Sequence, residues 1–281
     1  MNYLHLFHAG SFADVFKHAV FVLVLEHMKK KAAPFFVLDT HAGAGRYDLT
    51  SKAAARTGEA REGIGRILAA PGLAPALGPY VGAVRRLNAR YGAGPRWYPG
   101  SPLLAAMLLR PGDRIALAEL HPEEARALAR EFGADPRVTV HHMDGYVALK
   151  ALLPPPERRA VVLIDPPFEE PDEFERMAEG LRQACRRFAT GVYLLWYPIK
   201  DADGTATFLA ALRASGLARI LMIELRVYPT ENPERLNGCG MILVNPPWAV
   251  TRSLAALGPE LVRLLAREGG GGWRLEWLAG E

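Results

Sequence analysis

This chain of 281 residues has only two cysteines and no long apolar run. Cys185 and Cys239 have no metal-ligand spacing around them, so neither a disulfide framework nor structural zinc is expected. The apolar run near the start, 19–25, is too short to cross a bilayer and is not laid out like a cleavable signal. We therefore expect a cytoplasmic protein with no membrane association and no metal.

The charge excess is also small, with a net charge of +4 and a pI near 9.1. This leans toward a polyanionic partner but does not by itself establish nucleic-acid binding. The chain has no internal repeat and no low-complexity tract, and half of it is hydrophobic. A single domain over 1–281 is expected, with no obligate protein partner evident.

Short apolar runs rich in strand formers alternate with segments of helical pattern along most of the chain. This rhythm predicts an α/β fold with right-handed crossovers and a mostly parallel sheet. The first helix is predicted from about 15 to 31. Residues 48–97 are mostly helical by pattern but broken by proline and glycine, which predicts a helical insertion. Residues 273–277 are left open as a final strand or a tail.

Four successive predicted strands end in residues that suit a ligand pocket. The first ends at Asp39 before Gly43-Ala44-Gly45, the next two end at Glu119 and at Asp144-Gly145, and the fourth leads into 165–168. Ligands of parallel sheets bind at these carboxyl ends. The glycines let a ligand approach the backbone closely. The carboxylate of Glu119 can accept both hydroxyls of a ribose, and that of Asp144 suits an adenine amino group. Together they favour an S-adenosylmethionine pocket, although Glu119 and Asp144 could each be helix caps.

The fourth strand end, Asp165-Pro166-Pro167-Phe168, is typical of an amino-group methyltransferase site. An oxygen at the first position can accept a hydrogen bond from an exocyclic amine, whose lone pair is otherwise delocalised into the base. The prolines fix φ and remove two N–H donors, and an aromatic ring can stack on the base. The alternative is a strand that simply ends in a proline-rich turn.

A second copy of the theme, Asn245-Pro246-Pro247-Trp248, follows a late strand at 241–244. An asparagine could serve the same chemistry. Its late position, with little chain left to build a pocket, favours a structural turn or a secondary wall of the substrate cleft.

Four histidines, His5, His8, His18 and His41, gather near the N terminus and the end of the first strand. Their spacing is irregular and no cysteine accompanies them. Hydrogen-bonding roles at the rim of the pocket are therefore expected rather than metal ligation.

Several segments of the sequence resemble the bacterial ribosomal RNA large-subunit methyltransferase J family. These segments span nearly the whole chain and lie at 2–18, 39–47, 98–102, 119–122, 196–198 and 238–241. The resemblance implies a class I, Rossmann-like methyltransferase fold with a seven-stranded sheet and a helical insertion. It implies methylation of N6 of one adenine in 23S rRNA, with S-adenosylmethionine as cofactor and protein-free rRNA or an early assembly intermediate as substrate.

The resemblance also implies roles for individual residues. The cofactor pocket would be lined by His18, His41, Ser101, Glu119, Asp144 and Gly145, to which the glycine-rich loop after the first strand adds Gly43. Asp165 would be catalytic, and the chemistry of the turn adds Pro166 and Phe168 to the catalytic residues. Residues 1–18 would form a tail that closes over the site and carries the substrate-binding residues Tyr3, His5 and Lys17. Phe168 departs from the family, which commonly has tyrosine there, so stacking is kept and a hydroxyl is lost.

Two other functions fit the same residues. A DNA adenine or cytosine amino-methyltransferase uses the same four-residue chemistry, although only 48–97 could supply a recognition domain. A catalytically silent RNA-binding protein could use the same scaffold, against which the intact Asp165 and Glu119 argue.

Overall fold

The computed structural model describes residues 5–91, 94–200, 202–229, 232 and 234–280. The helices of these residues are α1 (Phe12–Met28), α2 (Lys52–Thr57), α3 (Arg66–Ala69), α4 (Gly78–Asn88), α5 (Ser101–Leu108), α6 (Pro122–Phe132), α7 (Gly145–Leu152), α8 (Glu173–Arg187), α9 (Ala202–Arg213) and α10 (Trp248–Leu265). The strands are β1 (Phe36–Asp39), β2 (Arg46–Asp48), β3 (Trp97–Pro99), β4 (Arg114–Glu119), β5 (Val138–His142), β6 (Ala160–Ile164), β7 (Val192–Ile199), β8 (Ile220–Arg226), β9 (Gly238–Val244) and β10 (Gly272–Ala279).

Within the described residues the main sheet has eight strands in the order β10-β8-β9-β7-β6-β1-β4-β5. Six of them share one direction, whereas β9 and β10 run the opposite way because both pair antiparallel with β8. The predicted α/β class and mostly parallel sheet are confirmed, but the predicted count of seven is wrong. The eighth strand is β10, the outermost strand on one side of the sheet. Its residues are partly exposed, so the sequence of this segment fitted a strand and a tail equally well.

Both faces of the sheet are covered by helices. One buried cluster joins the sheet to α1, α5 and α10, and a second joins its other face to α7, α8 and α9. The central strand β6 is buried throughout, as expected where a parallel strand is covered on both faces. No helix in the described part of the chain has the length and apolarity needed to cross a membrane.

Helix α1 begins three residues earlier than its predicted start at Val15. The hydroxyl of Ser11 accepts a hydrogen bond from the N–H of Asp14 at 3.4 Å and caps the helix. The helix runs antiparallel to β6, because Lys17 contacts Asp165 after the strand and the Met28 carbonyl accepts from Arg159 before it, at 2.9 Å. It therefore extends from the carboxyl ends of the parallel strands to their amino ends.

Three elements were absent from the sequence prediction. Strands β2 and β3 form a small antiparallel ribbon at the two ends of 48–97. The third is α10, where Pro259 lies inside a helix of 18 residues and obscured the apolar helical spacing. The helices between 48 and 97 bury Ile64 and Tyr80 in the same core as α1. Their status as a separate subdomain stays a prediction.

Candidate active site

A cleft of about 830 Å³ lies along the carboxyl ends of the parallel strands. Because β1 lies between β4 and β6, the end of β1 at Asp39 lies between Glu119 and Asp165. The predicted site residues that line the cleft are His5, Lys17, His18, His41, Gly43, Ser101, Glu119, Asp144, Gly145, Asp165, Pro166 and Phe168. Tyr3 lies outside the described residues. Their roles toward ligands stay predictions.

Glu119 is held by two backbone N–H groups. Gly43 donates to Oε2 at 2.7 Å and His121 donates to Oε1 at 2.6 Å, and the side chain is almost fully buried. Gly43 has φ +63°, a left-handed conformation that glycine adopts without strain. Each carboxylate oxygen keeps a lone pair, so both can still accept a hydroxyl group. The bond from His121 also fixes the start of α6. Glu119 therefore has part of the helix-capping role that the sequence left open.

Asp144 caps α7, which confirms the alternative left open by the sequence. Its Oδ1 accepts the N–H groups of Tyr146 at 2.8 Å and Val147 at 3.0 Å, and its Oδ2 lies 3.4 Å from Arg176. A contact of Asp144 with adenine stays a prediction. A side chain on Gly145 would place its Cβ 2.3 Å from the backbone oxygen of the loop after β1, so glycine lets the helix start approach that loop.

Two histidines border the cleft in neutral form, His18 fully buried and His41 partly buried. His18 makes a 2.7 Å hydrogen bond to the Tyr98 hydroxyl, and burial lowers the pKa of His18 to about 3. His41 makes a 2.8 Å hydrogen bond to the Thr40 hydroxyl, and burial lowers the pKa of His41 to about 4. These two side chains, as expected, make hydrogen bonds at the pocket wall.

Asp39 is fully buried at the end of β1. Burial raises the pKa of its carboxyl to about 7; the Ser101 hydroxyl lowers that pKa and the negative charge of Asp165 raises it. One oxygen of Asp39 also accepts the N–H of His41 at 3.3 Å. Asp39 therefore changes charge close to neutral pH, directly behind the cleft.

Asp165 belongs to a chain of charged groups that reaches back to the N-terminal turn. Lys17 Nζ lies 2.5 Å from Oδ2 of Asp165 and 3.0 Å from Oδ1 of Asp14. His5 Nε2 lies 2.9 Å from the other oxygen of Asp14, which also accepts the N–H of Gly10 at 2.9 Å. Burial alone would raise the pKa of Asp14, but His5 and Lys17 hold it well below its usual range. The network thus ties the turn at residues 5–7 to the Asp-Pro-Pro-Phe turn.

The expected tail of residues 1–18 needs a correction. Lys17 and His18 lie inside α1 and are 5% and 1% exposed, so neither belongs to a tail that closes over the site. The apolar residues of α1 are buried from its first turn, which draws this part of the chain into the core. Asp14 is the site residue that the sequence analysis missed. Its spacing of three from Lys17 puts the two on one helix face, but the predicted helix began one residue after Asp14.

The Asp-Pro-Pro-Phe turn places its aromatic ring in a small aromatic cluster. Phe168 packs edge-on against Phe174 and Trp196, with ring centroids 5.0 and 5.9 Å away. Its φ of +52° is rare for a bulky residue, and such strained positions concentrate at functional sites. Trp196 is a second missed wall residue of the cleft, and its ring centroid lies 6.0 Å from Lys17 Nζ.

The second motif, at 245–248, lies at the amino ends of the parallel strands, opposite the cleft. Val244 ends β9 opposite Tyr193, near the start of β7, so Asn245 follows at the amino ends of the parallel strands. Its side-chain amide donates to the carbonyls of Ala189 and Gly191 at 2.8 and 2.9 Å. The interpretation as a turn agrees with these bonds, whereas a wall of the substrate cleft is excluded.

Comparison with known proteins decides the family. Residues 32–279 match the sequence model of the family described as "Ribosomal RNA large subunit methyltransferase D, RlmJ". The chain belongs to the RlmJ family. The resemblance inferred from its motifs is thereby confirmed.

Full-length relatives agree with this assignment to the RlmJ family. Two proteins named ribosomal RNA large subunit methyltransferase J, from Haemophilus influenzae and Escherichia coli, are each 43% identical to this chain, with 100% of both chains covered. A crystallised protein of Legionella pneumophila is 34% identical with a TM-score of 0.88, over 96% of this chain and 98% of that one. The fold and the length of the chain are thus those of its relatives.

Proposed function

We propose that the protein transfers a methyl group from S-adenosylmethionine to N6 of an adenine in 23S rRNA. The observation that carries the proposal is the state of Asp165 in the cleft. Lys17 binds its Oδ2 at 2.5 Å, whereas Oδ1 has no hydrogen-bond partner within the described residues. One oxygen is therefore fixed and the other is left to accept an exocyclic amine. The printed names of the full-length relatives supply the substrate class.

The cleft fits the cofactor chemically. S-adenosylmethionine supplies an electrophilic methyl group on a positively charged sulfonium, and it also carries an ammonium group. Carboxylates outnumber lysines and arginines among the residues that line the cleft. Glu119 would accept the ribose hydroxyls, and the Gly43 loop would let backbone lie against the ligand. The cleft volume of about 830 Å³ also lies in the range usual for cofactor sites.

The turn at 165–168 would hold the target base. Asp165 Oδ1 would accept one hydrogen of the amine, and a carbonyl of the proline turn would accept the other, which directs the nitrogen lone pair toward the methyl group. Phe168 would stack on the base. Such a base must first leave its helix, which costs least in a loop or at a helix end.

Most of the acceleration would come from this alignment of the two reactants. As the new N–C bond forms, the nitrogen becomes cationic and must lose one proton. Asp165, which would hold the amine, would accept this proton, or solvent would. The residues therefore act by positioning the amine and by removing a proton.

We infer that protein-free 23S rRNA or an early assembly intermediate is methylated, because the base must be extruded into a cleft at the sheet edge. The test offers tritiated S-adenosylmethionine with protein-free 23S rRNA, assembled large subunits, 16S rRNA and duplex DNA. Nuclease digestion and mass spectrometry then locate the label.

N6-methyladenine in protein-free 23S rRNA is the expected product, with Asp165→Ala as the inactive control. Label on DNA, on cytosine or on 16S rRNA alone would contradict the proposal. No label on any substrate would favour the silent RNA-binding protein.

A further inference from the structure

The end of the sheet opposite the cleft, where the parallel strands begin, carries the most exposed large hydrophobic side chain of the described residues. Trp248 is 73% exposed at the start of α10. The guanidinium of Arg252, one helical turn later, lies 4.7 Å from its ring centroid. A large exposed aromatic group of this kind is a common sign of an interaction site. An indole paired with an arginine is suited to stack on a flat, electron-rich ligand.

Hydrogen bonds join the elements of this edge into one surface. Arg187, at the end of α8, donates to the Leu153 carbonyl in the loop before β6 at 3.3 Å. The bonds of Asn245 to Ala189 and Gly191 join the end of α8 to the turn before Trp248. Arg159 joins the loop before β6 to the end of α1. The end of α1 and the start of α10 thus belong to a continuous surface.

Six exposed basic side chains belong to the elements at this end of the sheet, which we term the distal basic edge, and one of them, Arg252, contacts Trp248. They are Lys30, Lys31, Arg158, Arg186, Arg187 and Arg252. None has an ion-pair partner among the residues that the structure describes. Their six charges exceed the net charge of +4 of the whole chain, so the rest of the molecule is net negative.

The acidic residues near the distal basic edge are already neutralised. Glu26 pairs with Lys29 at 2.6 Å, and Glu157 pairs with Arg114 at 2.6 Å. Asp113, which is buried, pairs with Arg110. The positive potential of the edge is therefore not cancelled by these carboxylates.

The lining of the cleft has the opposite charge. Eleven aspartates and glutamates line it against five lysines and arginines, and of these carboxylates Glu62 pairs with Arg267 and Glu59 with His8. The net negative charge that remains would weaken the attraction of phosphate groups to the cleft. A polyanionic substrate that inserts one base there gains its electrostatic attraction mainly from another part of the protein.

We propose that the distal basic edge is a second RNA-contact surface, where the basic side chains bind phosphates of the substrate and Trp248 stacks on an unpaired base. This inference rests on the proposed function, which brings RNA to the protein. Arginine binds phosphate with a planar fork of donors, and stacking of a base on an aromatic ring tolerates any base. RNA of sufficient length would contact the cleft and this edge together.

The test compares a long RNA, the rRNA domain that contains the labelled adenine, with a short stem-loop around that adenine. Trp248→Ala should weaken binding of the long RNA at least fivefold, in the range seen for loss of one stacked base. Trp248→Phe should restore most of it. Arg186→Ala/Arg187→Ala should lower the slope of log affinity against log salt by about one to two.

Methylation of the short stem-loop should be unchanged in every variant, because none touches the cleft. Failure of the wild-type protein to methylate the stem-loop or the long RNA would refute the proposed function instead, so the two failures are distinguishable. The matched control is Arg85→Ala/Arg86→Ala, which removes two exposed charges from α4.

Three results would overturn the second RNA-contact surface. They are unchanged binding of long RNA by Trp248→Ala, an equal loss in the α4 control, and a change of oligomeric state in Trp248→Ala without a change in RNA affinity. The last would assign the edge to contacts between copies of the chain.

Discussion

Lys17 Nζ and Asp165 Oδ2 lie 2.5 Å apart although 148 residues separate them in the chain. The pair joins the first helix to the turn after β6, and both side chains are largely buried, at 6% and 14% exposure. The position of the Asp165 carboxylate therefore depends on how α1 docks on the sheet.

Asp165→Ala should reduce methyl transfer by at least a hundredfold, since it removes a group that acts on the transition state. Affinity for S-adenosylmethionine should change little. Tritium transfer and calorimetry measure the two quantities. The matched control is Asn245→Ala at the opposite edge, which should keep most activity. Equal losses in both variants would assign the chemistry to the second motif.

Asp14→Ala should lower the free energy of unfolding by about 3–5 kcal/mol, as expected when one partner of a buried ion pair is removed. It leaves the N–H of Gly10 without an acceptor and removes one of the two carboxylates that hold Lys17. Urea unfolding measures the change. Asp48→Ala, which removes a more exposed carboxylate paired with Arg96, should cost less than about 1 kcal/mol. Similar costs would refute the importance of the buried network.

Glu119→Ala should weaken binding of S-adenosylmethionine at least tenfold, because a charged acceptor contributes about 1.5–3 kcal/mol per hydrogen bond. A structural loss through Gly43 and His121 must be distinguished from a direct contact. A cofactor analogue without the ribose hydroxyls serves this purpose. If Glu119 binds those hydroxyls, the variant and the analogue should show strongly non-additive losses in calorimetry. Additive losses would make Glu119 a support of the loop only.

Asp39 should make the protein less stable as pH rises toward neutrality. Its folded-state pKa is raised to about 7 by burial, so the stability it contributes is complete below the unfolded value of 3.8 and is lost as pH rises through 7. Relative to Asp39→Asn, the wild-type free energy of unfolding should fall by about 3 kcal/mol between about pH 5 and about pH 8. Thermal or urea unfolding at the two pH values gives the difference. A constant difference would show that Asp39 does not titrate in this range.

Much of the sheet could be predicted because its strands are short apolar runs bounded by clear turns. The sequence pattern predicts a helix over 122–132 and strands over 138–142 and 160–164, and α6, β5 and β6 have these bounds to the residue. Strands β2 and β3 have three residues each and pair across about fifty residues of chain, so no local pattern marks them. Tertiary pairing, rather than local propensity, forms this ribbon.

The site residues that lie at strand ends could be predicted from the sequence. The contacts that depend on the packing of one element against another could not. Glu119, Asp144 and Asp165 line one cleft, and Asp39 lies buried at the strand end between Glu119 and Asp165, because parallel strands bring their carboxyl ends together. The contact of Asp14 and Lys17 with this group depends on the packing of α1 across the sheet, which no spacing in the sequence specifies.

On the proposal of a second RNA-contact surface, the length of α1 sets the distance between the two places that contact the substrate. Its first turns contact the cleft and its last residues reach the distal basic edge, and 17 residues of helix span about 25 Å. An RNA shorter than this span can offer its adenine to the cleft but cannot reach both places. The dependence of affinity on substrate length should therefore show a step, whose position is set by the length of one rigid helix.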